Sequence, residues 1–427
     1  MEIKVKNFGT ISEASVKIGG LTVIAGENDS GKSTIGKILF SLVKAFSKIE
    51  DDLKEHRDTK LISAVEAIYF YMRRGLDLNE ARSLRDDFFP PKLVEQLNLH
   101  GDATVYDRKQ QIKSLLDSRV LDKEHFEFMD SKLDEIRNVL NEDSDPDKAR
   151  ANTIRKAFYS EFKGEITNKK NNGNASLVIN DGLTTLLSIQ WSKSGLADFK
   201  FEDEIQFEDA TYVESSTILQ FHHHIQSART LFDTGGNRNS GVMVPLHVKD
   251  LSRKLHNSYY IFDLFSESDN SGLSSVYNGE FYFDKETSQF FLERNGYRIS
   301  SSNVASGIKN LGIFDILVRS NHINAKSIVI LDEPEVNLHP EWQIKYAKAI
   351  CEQIRKGNNI IVTTHSPYMV EALHLYAESL GIDANFYLSE TKEEGSVFKD
   401  VSSDLTKIIS KLSKPLVNLH LEVDGDF

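Results

Sequence analysis

Three acidic residues follow an apolar segment of the chain. Residues 327–331 (SIVIL) lead into Asp332 and Glu333, and Glu335 comes just past a proline. An unbroken apolar run of this kind is typical of a strand buried on both faces of a parallel sheet. Ligands of open α/β sheets sit at the carboxyl ends of their strands. We therefore expect these acids at a ligand-binding edge, opposite a positively charged group.

A phosphate-binding motif supplies that positive group. The segment GENDSGKST matches G-x-x-x-x-G-K-[ST] in full and lies between an apolar strand and an amphipathic helix. Its glycines let backbone N–H groups turn inward around a phosphate, and the following helix points its positive end at the anion. Lys32 would reach the β- and γ-phosphates, and the Ser33 hydroxyl would ligate Mg²⁺. The predicted nucleotide-binding residues of this loop are Gly26, Glu27, Asn28, Asp29, Ser30, Gly31, Lys32, Ser33 and Thr34.

The acids and one histidine have distinct predicted roles. Asp332 would hold Mg²⁺, directly or through water, and Glu333 would orient and deprotonate the attacking water. Glu335 stays without a role. His365 ends the next predicted strand, residues 360–364, and an imidazole there could reach the γ-phosphate and sense its hydrolysis.

Composition limits the kind of protein. The chain has 427 residues, 27% of them charged and 40% hydrophobic, and a formal net charge of −13. This acidity argues against chain-wide attraction to nucleic acid, although it leaves a local basic patch open. No apolar run reaches the roughly 18 residues that span a bilayer, so we expect no membrane partner. The one cysteine, Cys351, allows no internal disulfide and fits a cytoplasmic location.

The chain divides into three stretches that differ in their pattern of apolar and charged residues. Residues 1–48 are predicted to form strands and the helix after the phosphate loop. Residues 49–170 alternate charged and spaced apolar residues, which predicts a helical insertion. Residues 171–427 begin with short antiparallel strands and a hairpin, and from residue 303 onward helices alternate with strands. We predict an α/β fold whose head is formed by the first and third stretches.

The motifs resemble those of a known ATPase class. GENDSGKST, VILDEPEVNLHP and IIVTTHSPYM are similar to the Walker A, Walker B with D-loop, and His-switch segments of ABC-type ATPases of the RecF, SMC and OLD-like branch. The opening strand and the segments DEPEVNLHP and THSP are typical of OLD-like and PtuA-like ATPases of antiphage systems.

The resemblance implies an ABC-type P-loop ATPase head, with a mixed sheet and an antiparallel β subdomain, that carries a helical insertion. It implies head-to-tail dimers with two ATP molecules, each also contacted by a Ser-Gly segment of the other protomer. Ser306 and Gly307 in NVASGIKN are the candidates, and Ser306 is also an ordinary helix N-cap. The D-loop corresponds to residues 337–339, and Gln220 is a candidate Q-loop residue.

The expected function follows from this resemblance. It is a Mg²⁺-dependent ATPase that acts as sensor or regulatory scaffold of a multi-component bacterial antiphage system. Only residues 366–427 follow the predicted histidine switch, too few for the Toprim nuclease domain of OLD-family nucleases. The effector, a nuclease or toxin, is therefore expected on a separate chain. Two alternatives stay open: a RecF-like DNA-repair ATPase and a nucleotide-locked scaffold with little hydrolysis.

Overall fold

A computed structural model describes residues 1–75, 82–118, 120–141, 146–171, 173–233, 242–262 and 271–425. Its strands are β1 (Glu2–Phe8), β2 (Ile11–Lys17), β3 (Leu21–Gly26), β4 (Ala175–Asp181), β5 (Thr184–Ser192), β6 (Gly195–Phe201), β7 (Asp209–Val213), β8 (Glu280–Asp284), β9 (Gln289–Arg294), β10 (Tyr297–Ser300), β11 (Ser327–Asp332), β12 (Asn359–Thr364), β13 (Ala384–Lys392) and β14 (Gly395–Asp400).

The helices are α1 (Lys32–Ser47), α2 (Ile49–Gly75), α3 (Arg82–Asp87), α4 (Pro90–His100), α5 (Asp102–Asp117), α6 (Lys123–Asn141), α7 (Pro146–Phe162), α8 (His222–Ser227), α9 (Leu246–Phe262), α10 (Leu273–Tyr277), α11 (Ser306–Arg319), α12 (Pro340–Arg355), α13 (Pro367–Leu380) and α14 (Thr406–Gly425). Two short 3₁₀ segments span Ser216–Leu219 and Ser301–Asn303.

One mixed sheet organises the larger part of the chain. Its eleven strands run in the order β6-β5-β4-β1-β2-β14-β13-β3-β12-β11-β7. Strands β13, β3, β12, β11 and β7 are parallel neighbours, whereas β1, β2, β4, β5 and β6 pair antiparallel. The predicted α/β fold with a mixed sheet and antiparallel strands is confirmed.

The parallel strands bring distant motifs to one edge. Every residue of β3, β11 and β12 is buried, as expected for strands covered on both faces. β12 lies between β3 and β11, and all three run in the same direction. Their carboxyl ends, Gly26, Asp332 and Thr364, therefore meet at one edge.

Two apolar cores cover the two faces of this sheet. One contains buried residues of α11, α12 and α13, with Val329 and Leu331 of β11. The other contains α1 residues, with Ile328 and Ile330 of the same strand. The alternation along β11 is the two-residue period of a strand, and it sets which residues face α1.

The chain forms two compact units. One comprises residues 1–47 and 151–427, and the other comprises residues 48–150, whose helices share an apolar core of their own. The second unit ends at Arg150, earlier than the boundary of 170 expected from the sequence. The physical reason is that Ile154, Ala157 and Phe158 of α7 pack in a core of the first unit. None of the helices in the described ranges is both long and apolar enough to cross a membrane.

Candidate functional site

The phosphate loop connects β3 to α1 and holds its lysine inward. The Lys32 ammonium is buried and donates hydrogen bonds to the carbonyl oxygens of Gly26 at 3.1 Å and Glu27 at 2.7 Å. Gly31 has a φ of +83°, which favours glycine, and a Cβ there would lie 2.8 Å from Ile11 Cγ1. The loop therefore needs glycine both for its backbone turn and for its packing against β2.

The other predicted loop residues have different exposures. Ser30 is buried, and its carbonyl accepts a hydrogen bond from the Ser389 hydroxyl. Ser33 and Thr34 are half-buried in the first turn of α1. The remaining loop residues are exposed at the tip: Glu27, Asn28 and Asp29. Glu27 also pairs with Lys411 of α14, with 3.0 Å between the charged atoms.

Asp332 joins the acidic segment to the phosphate loop. The Ser33 hydroxyl donates to Asp332 Oδ1 at 2.9 Å, although 299 positions separate the two residues. The Thr363 hydroxyl of the neighbouring strand also donates to Oδ1. The two predicted metal ligands, Ser33 and Asp332, are thus in direct contact. Both offer the hard oxygen donors that Mg²⁺ prefers.

Glu333 and His365 form a second contact at this edge. His365 Nδ1 lies 3.5 Å from Glu333 Oε1, and both side chains are partly exposed. Glu333 has a positive φ of 49°, and its backbone N–H donates to the Thr363 carbonyl at 3.0 Å. The contact with His365 holds the pKa of Glu333 below its usual value, and the same contact raises the pKa of His365. The predicted base and the predicted sensor are therefore adjacent.

Glu335, which had no predicted role, contacts both the backbone and the ring of His365. Its buried Oε1 accepts hydrogen bonds from the Thr364 hydroxyl at 2.6 Å and the His365 N–H at 2.9 Å. The same oxygen lies 3.4 Å from His365 Nδ1. Oε2 is buried without a partner among the described residues, and burial raises the pKa of this carboxyl. Glu335 thus fixes the backbone that carries His365.

The site concentrates opposite charges around Lys32. Burial lowers the pKa of its ammonium, and the three nearby carboxylates of Glu333, Asp332 and Glu335 oppose that shift. An anionic phosphate would add a further counter-charge beside the ammonium. A cavity of about 480 Å³ adjoins the loop, lined on one side by Asp29, Ser33, Thr34 and Lys37 and on the other by residues 167–170.

Ser306 and Gly307 lie elsewhere on the same head. They begin α11, and Gly307 lies against the loop after β11. A Cβ on Gly307 would lie 2.4 Å from the Asn337 carbonyl oxygen, and Asn310 Nδ2 donates to the Val336 carbonyl at 3.1 Å. No hydrogen bond between described residues joins either residue to the phosphate loop. The structure thus packs Gly307 against the predicted D-loop.

Gln220, the Q-loop candidate, has a partner outside the phosphate site. Its Oε1 accepts a hydrogen bond from the buried Lys309 ammonium at 2.9 Å. The residue that follows β7 at the edge shared with Asp332 is instead Glu214. Glu214 pairs with Lys37 of α1 at 3.2 Å.

Sequence reasoning missed three hydroxyl groups that hold the acids. Thr363 and Thr364 end β12, where their hydroxyls bond Asp332 and Glu335 respectively. Tyr212 of β7 donates to Asp332 Oδ2 at 2.8 Å. The threonine pair directly before His365 was a usable signal, because it falls on the same edge. Tyr212 had none, since its relation to Asp332 depends on strand order.

Comparisons with known proteins agree with these motifs. The family model described as an AAA ATPase domain matches residues 1–370. The Septu protein PtuA of Bacillus thuringiensis is 37% identical over 68 residues, which are 15% of this chain and 17% of that protein. The matched segment is thus a small part of that relative.

Solved structures of SMC heads are also similar. An SMC head bound to the C-winged helix domain of ScpA has 12% identity and a TM-score of 0.44, and the match covers 95% of this chain and 98% of that one. The SMC head domain from Thermotoga maritima has 11% identity and a TM-score of 0.38, with 94% and 98% covered.

Proposed function

The chain belongs to the AAA ATPase domain family, and on that premise we propose that it binds ATP with Mg²⁺ at the edge described above and hydrolyses it. The observation that carries this proposal is the 2.9 Å hydrogen bond between Ser33 and Asp332. It joins the end of the phosphate loop to an acid that follows a buried parallel strand. This pairing of a hydroxyl with a carboxylate is the arrangement in which P-loop NTPases hold magnesium.

The residues present fit the metal and the nucleotide. Ser33 and Asp332 would hold Mg²⁺, which when bound would neutralise charge that develops on the phosphate oxygens. Lys32 would pair with the β- and γ-phosphates, and backbone N–H groups of residues 26–34 would cradle them. The cavity beside Thr34 and Lys37 offers room for the nucleoside.

Glu333 and His365 supply the protein's own chemistry in this proposal. Glu333 orients the attacking water and accepts its proton. His365 holds the Glu333 carboxylate at 3.5 Å and would contact the γ-phosphate when ATP is present. Glu335 keeps the His365 backbone in place during that change.

A head-to-tail dimer completes the proposed site. Ser306 and Gly307 would contact the nucleotide of the second protomer from the start of α11. The support for this is the packing of Gly307 against residues 337–338 of the predicted D-loop. Because ATP would lie between protomers, binding and hydrolysis would close and open the dimer.

The cellular role that we propose is regulation of a separate nuclease or toxin in an antiphage system. The support is the 68-residue similarity to PtuA, together with the DEPEVNLHP and THSP segments. The helical unit of residues 48–150 would present or capture that effector as the dimer closes.

Substitution of Glu333 by glutamine tests the hydrolytic core. Glu333→Gln should still bind ATP but lose hydrolysis by about 10²–10⁴-fold, the usual contribution of a general base. Phosphate release and ATP binding would be measured on the same preparations. Glu341→Gln is the matched control, since Glu341 is exposed on α12 and pairs with Lys345.

The possible outcomes distinguish an ATPase that uses Glu333 as its base from a nucleotide-locked scaffold. Normal hydrolysis by Glu333→Gln would overturn the assignment of the base. Tight ATP binding without phosphate release by the unmodified protein, alone and with a candidate effector, would instead support a nucleotide-locked scaffold.

A further inference from the structure

Asp332, the proposed metal ligand, has a third hydrogen-bond donor that lies outside the phosphate loop and the segments that carry Asp332 and His365. Tyr212 is buried, and its hydroxyl donates to Asp332 Oδ2 at 2.8 Å. Ser33 and Thr363 donate to the other oxygen, Oδ1. The two carboxylate oxygens therefore have different partners, and only Oδ1 faces the phosphate loop's hydroxyl.

The sheet register explains how Tyr212 reaches this carboxylate. β7 runs parallel to β11 with Tyr212 opposite Ile330, two residues before Asp332. Side chains two residues apart share a face, so the tyrosine ring points to the same side as Asp332. It extends along that face as far as the carboxylate. The contact is therefore a product of the strand pairing.

Helix α1 leaves space for the tyrosine ring. Gly36 lies one turn after the phosphate loop, where a Cβ would come within 2.9 Å of Tyr212 Cε2 and 2.7 Å of Ile330 Cγ2. Even an alanine side chain at this position would press on the ring. A glycine inside a helix is less favourable than an alanine. That cost is offset here by close packing of α1 on Tyr212.

A histidine fixes the ring from behind. His247 Nδ1 lies 2.6 Å from Glu161 Oε2, and Nε2 lies 2.8 Å from Glu214 Oε2. Burial by itself would lower the pKa of His247, but its hydrogen bonds to Glu161 and Glu214 raise that pKa above its usual value. The centroid of the His247 ring is 5.1 Å from that of Tyr212. Glu161 and Glu214 thus hold the His247 ring beside the tyrosine.

We propose that Tyr212 is a positioning residue for the metal site: its hydroxyl fixes Oδ2 of Asp332 so that Oδ1 is presented to the metal beside Ser33. His247 and Gly36 fix the tyrosine in turn. This inference rests on the proposed function, because it requires that Asp332 binds the metal of a metal–nucleotide complex. Hydrogen-bond partners of metal ligands orient those ligands, and their removal typically weakens metal binding about 10–100-fold.

The test measures metal affinity separately from turnover. Mn²⁺ would replace Mg²⁺ in titrations followed by electron paramagnetic resonance, with the protein saturated by a non-hydrolysable ATP analogue. Tyr212→Phe should weaken Mn²⁺ binding about 10–100-fold. Its affinity for the analogue in EDTA should equal that of the unmodified protein, because the phosphate loop is unchanged.

Tyr387→Phe is the matched control. Tyr387 is also a buried residue of the same sheet, and its hydroxyl accepts a hydrogen bond from the Lys17 N–H at 2.9 Å. The control removes a buried hydroxyl remote from the acids and should leave Mn²⁺ affinity unchanged. A loss in Tyr212→Phe that is absent from Tyr387→Phe supports the inference.

Two results would count against it, in different ways. If the unmodified protein binds Mn²⁺ with the analogue and Tyr212→Phe binds it equally well, the positioning role is wrong while the ATPase site stands. If the unmodified protein shows no analogue-dependent Mn²⁺ binding, the proposed metal–nucleotide function fails and the inference fails with it.

Discussion

Replacing Glu335 by glutamine should change the pH dependence of stability in a defined direction. Glu335 is a buried carboxylate whose Oε1 accepts two hydrogen bonds and lies 3.4 Å from His365 Nδ1. Glutamine keeps the shape and an acceptor oxygen at Oε1 but carries no charge. The substitution therefore isolates the effect of placing a charge at this position.

The expected magnitude follows from the partners of this carboxylate. Hydrogen bonds to a charged acceptor contribute about 1.5–3 kcal/mol each and neutral ones about 0.5–1.5 kcal/mol, so glutamine weakens the two bonds by about 2 kcal/mol in total. It also removes the dehydration cost of a buried carboxylate, which is several kcal/mol. At pH 8 we therefore expect Glu335→Gln to be more stable than the unmodified protein, by on the order of 1–3 kcal/mol.

The sign of the pH dependence comes from two raised pKa values. Burial raises the pKa of Glu335 above its usual 4.5, and contact with Glu333, then Glu335, raises that of His365 above 6.5. A group with a raised folded-state pKa stabilises the fold below its unfolded pKa, and this contribution is lost as pH rises through the folded value. The unmodified protein should therefore lose stability relative to Glu335→Gln as pH rises from about 4.5 to above 6.5.

Urea unfolding of both proteins at pH 5 and pH 8 measures this difference. Glu341→Gln is the control, because pairing with Lys345 holds the pKa of Glu341 below its usual value. Its stabilising contribution is lost only on acidification below about pH 4.5, so the control difference should stay nearly constant between pH 5 and pH 8. An advantage of Glu335→Gln that stays constant, or that shrinks as pH rises, would refute the reasoning.

Two further substitutions test the loop and the helix start. Lys32→Ala should abolish the stabilisation of the folded protein by ATP. For a ligand that binds only the folded state, that stabilisation is about 2.7 kcal/mol at about 100 times the dissociation constant. Urea unfolding with and without ATP measures it, and retained stabilisation would contradict the predicted role of Lys32 in binding the phosphates. Gly307→Ala should lower the free energy of unfolding by about 1–2 kcal/mol, because overpacking against the Asn337 carbonyl outweighs the gain in helix propensity of up to about 1 kcal/mol. Equal or greater stability in denaturant titrations would show that the close approach is absent.

Local pattern was sufficient to predict the main elements of the head. The apolar run 327–331 and the run 360–364 indicated buried parallel strands, and both strands are buried throughout. Asp332 and His365 then had to fall at the same edge as the phosphate loop, since parallel strands end together. The proximity of Lys32, Ser33 and the acids was thus predictable from three short segments.

Contacts that depend on strand order were not predictable in this way. Tyr212 reaches Asp332 only because β7 is the edge strand beside β11, a pairing between segments 118 positions apart. The end of the helical unit was also missed, because α7 is one continuous helix across residue 150. Which of its turns pack in the sheet core depends on partners such as Trp191, which lies far along the chain.

Asp332, Glu333 and Glu335 lie within four consecutive positions, 332–335, but each has different surroundings. Asp332 is buried and accepts hydrogen bonds from three hydroxyl groups, those of Ser33, Tyr212 and Thr363. Glu333 turns through a positive φ into partial exposure beside His365, where water can reach it. Glu335 points back into the protein and bonds the histidine's backbone. A one-residue shift in the register of β11 would turn Asp332 to the other face of the sheet, because each step along a strand reverses the face. The register of β11 therefore determines which acid lies beside Ser33 and which lies beside His365.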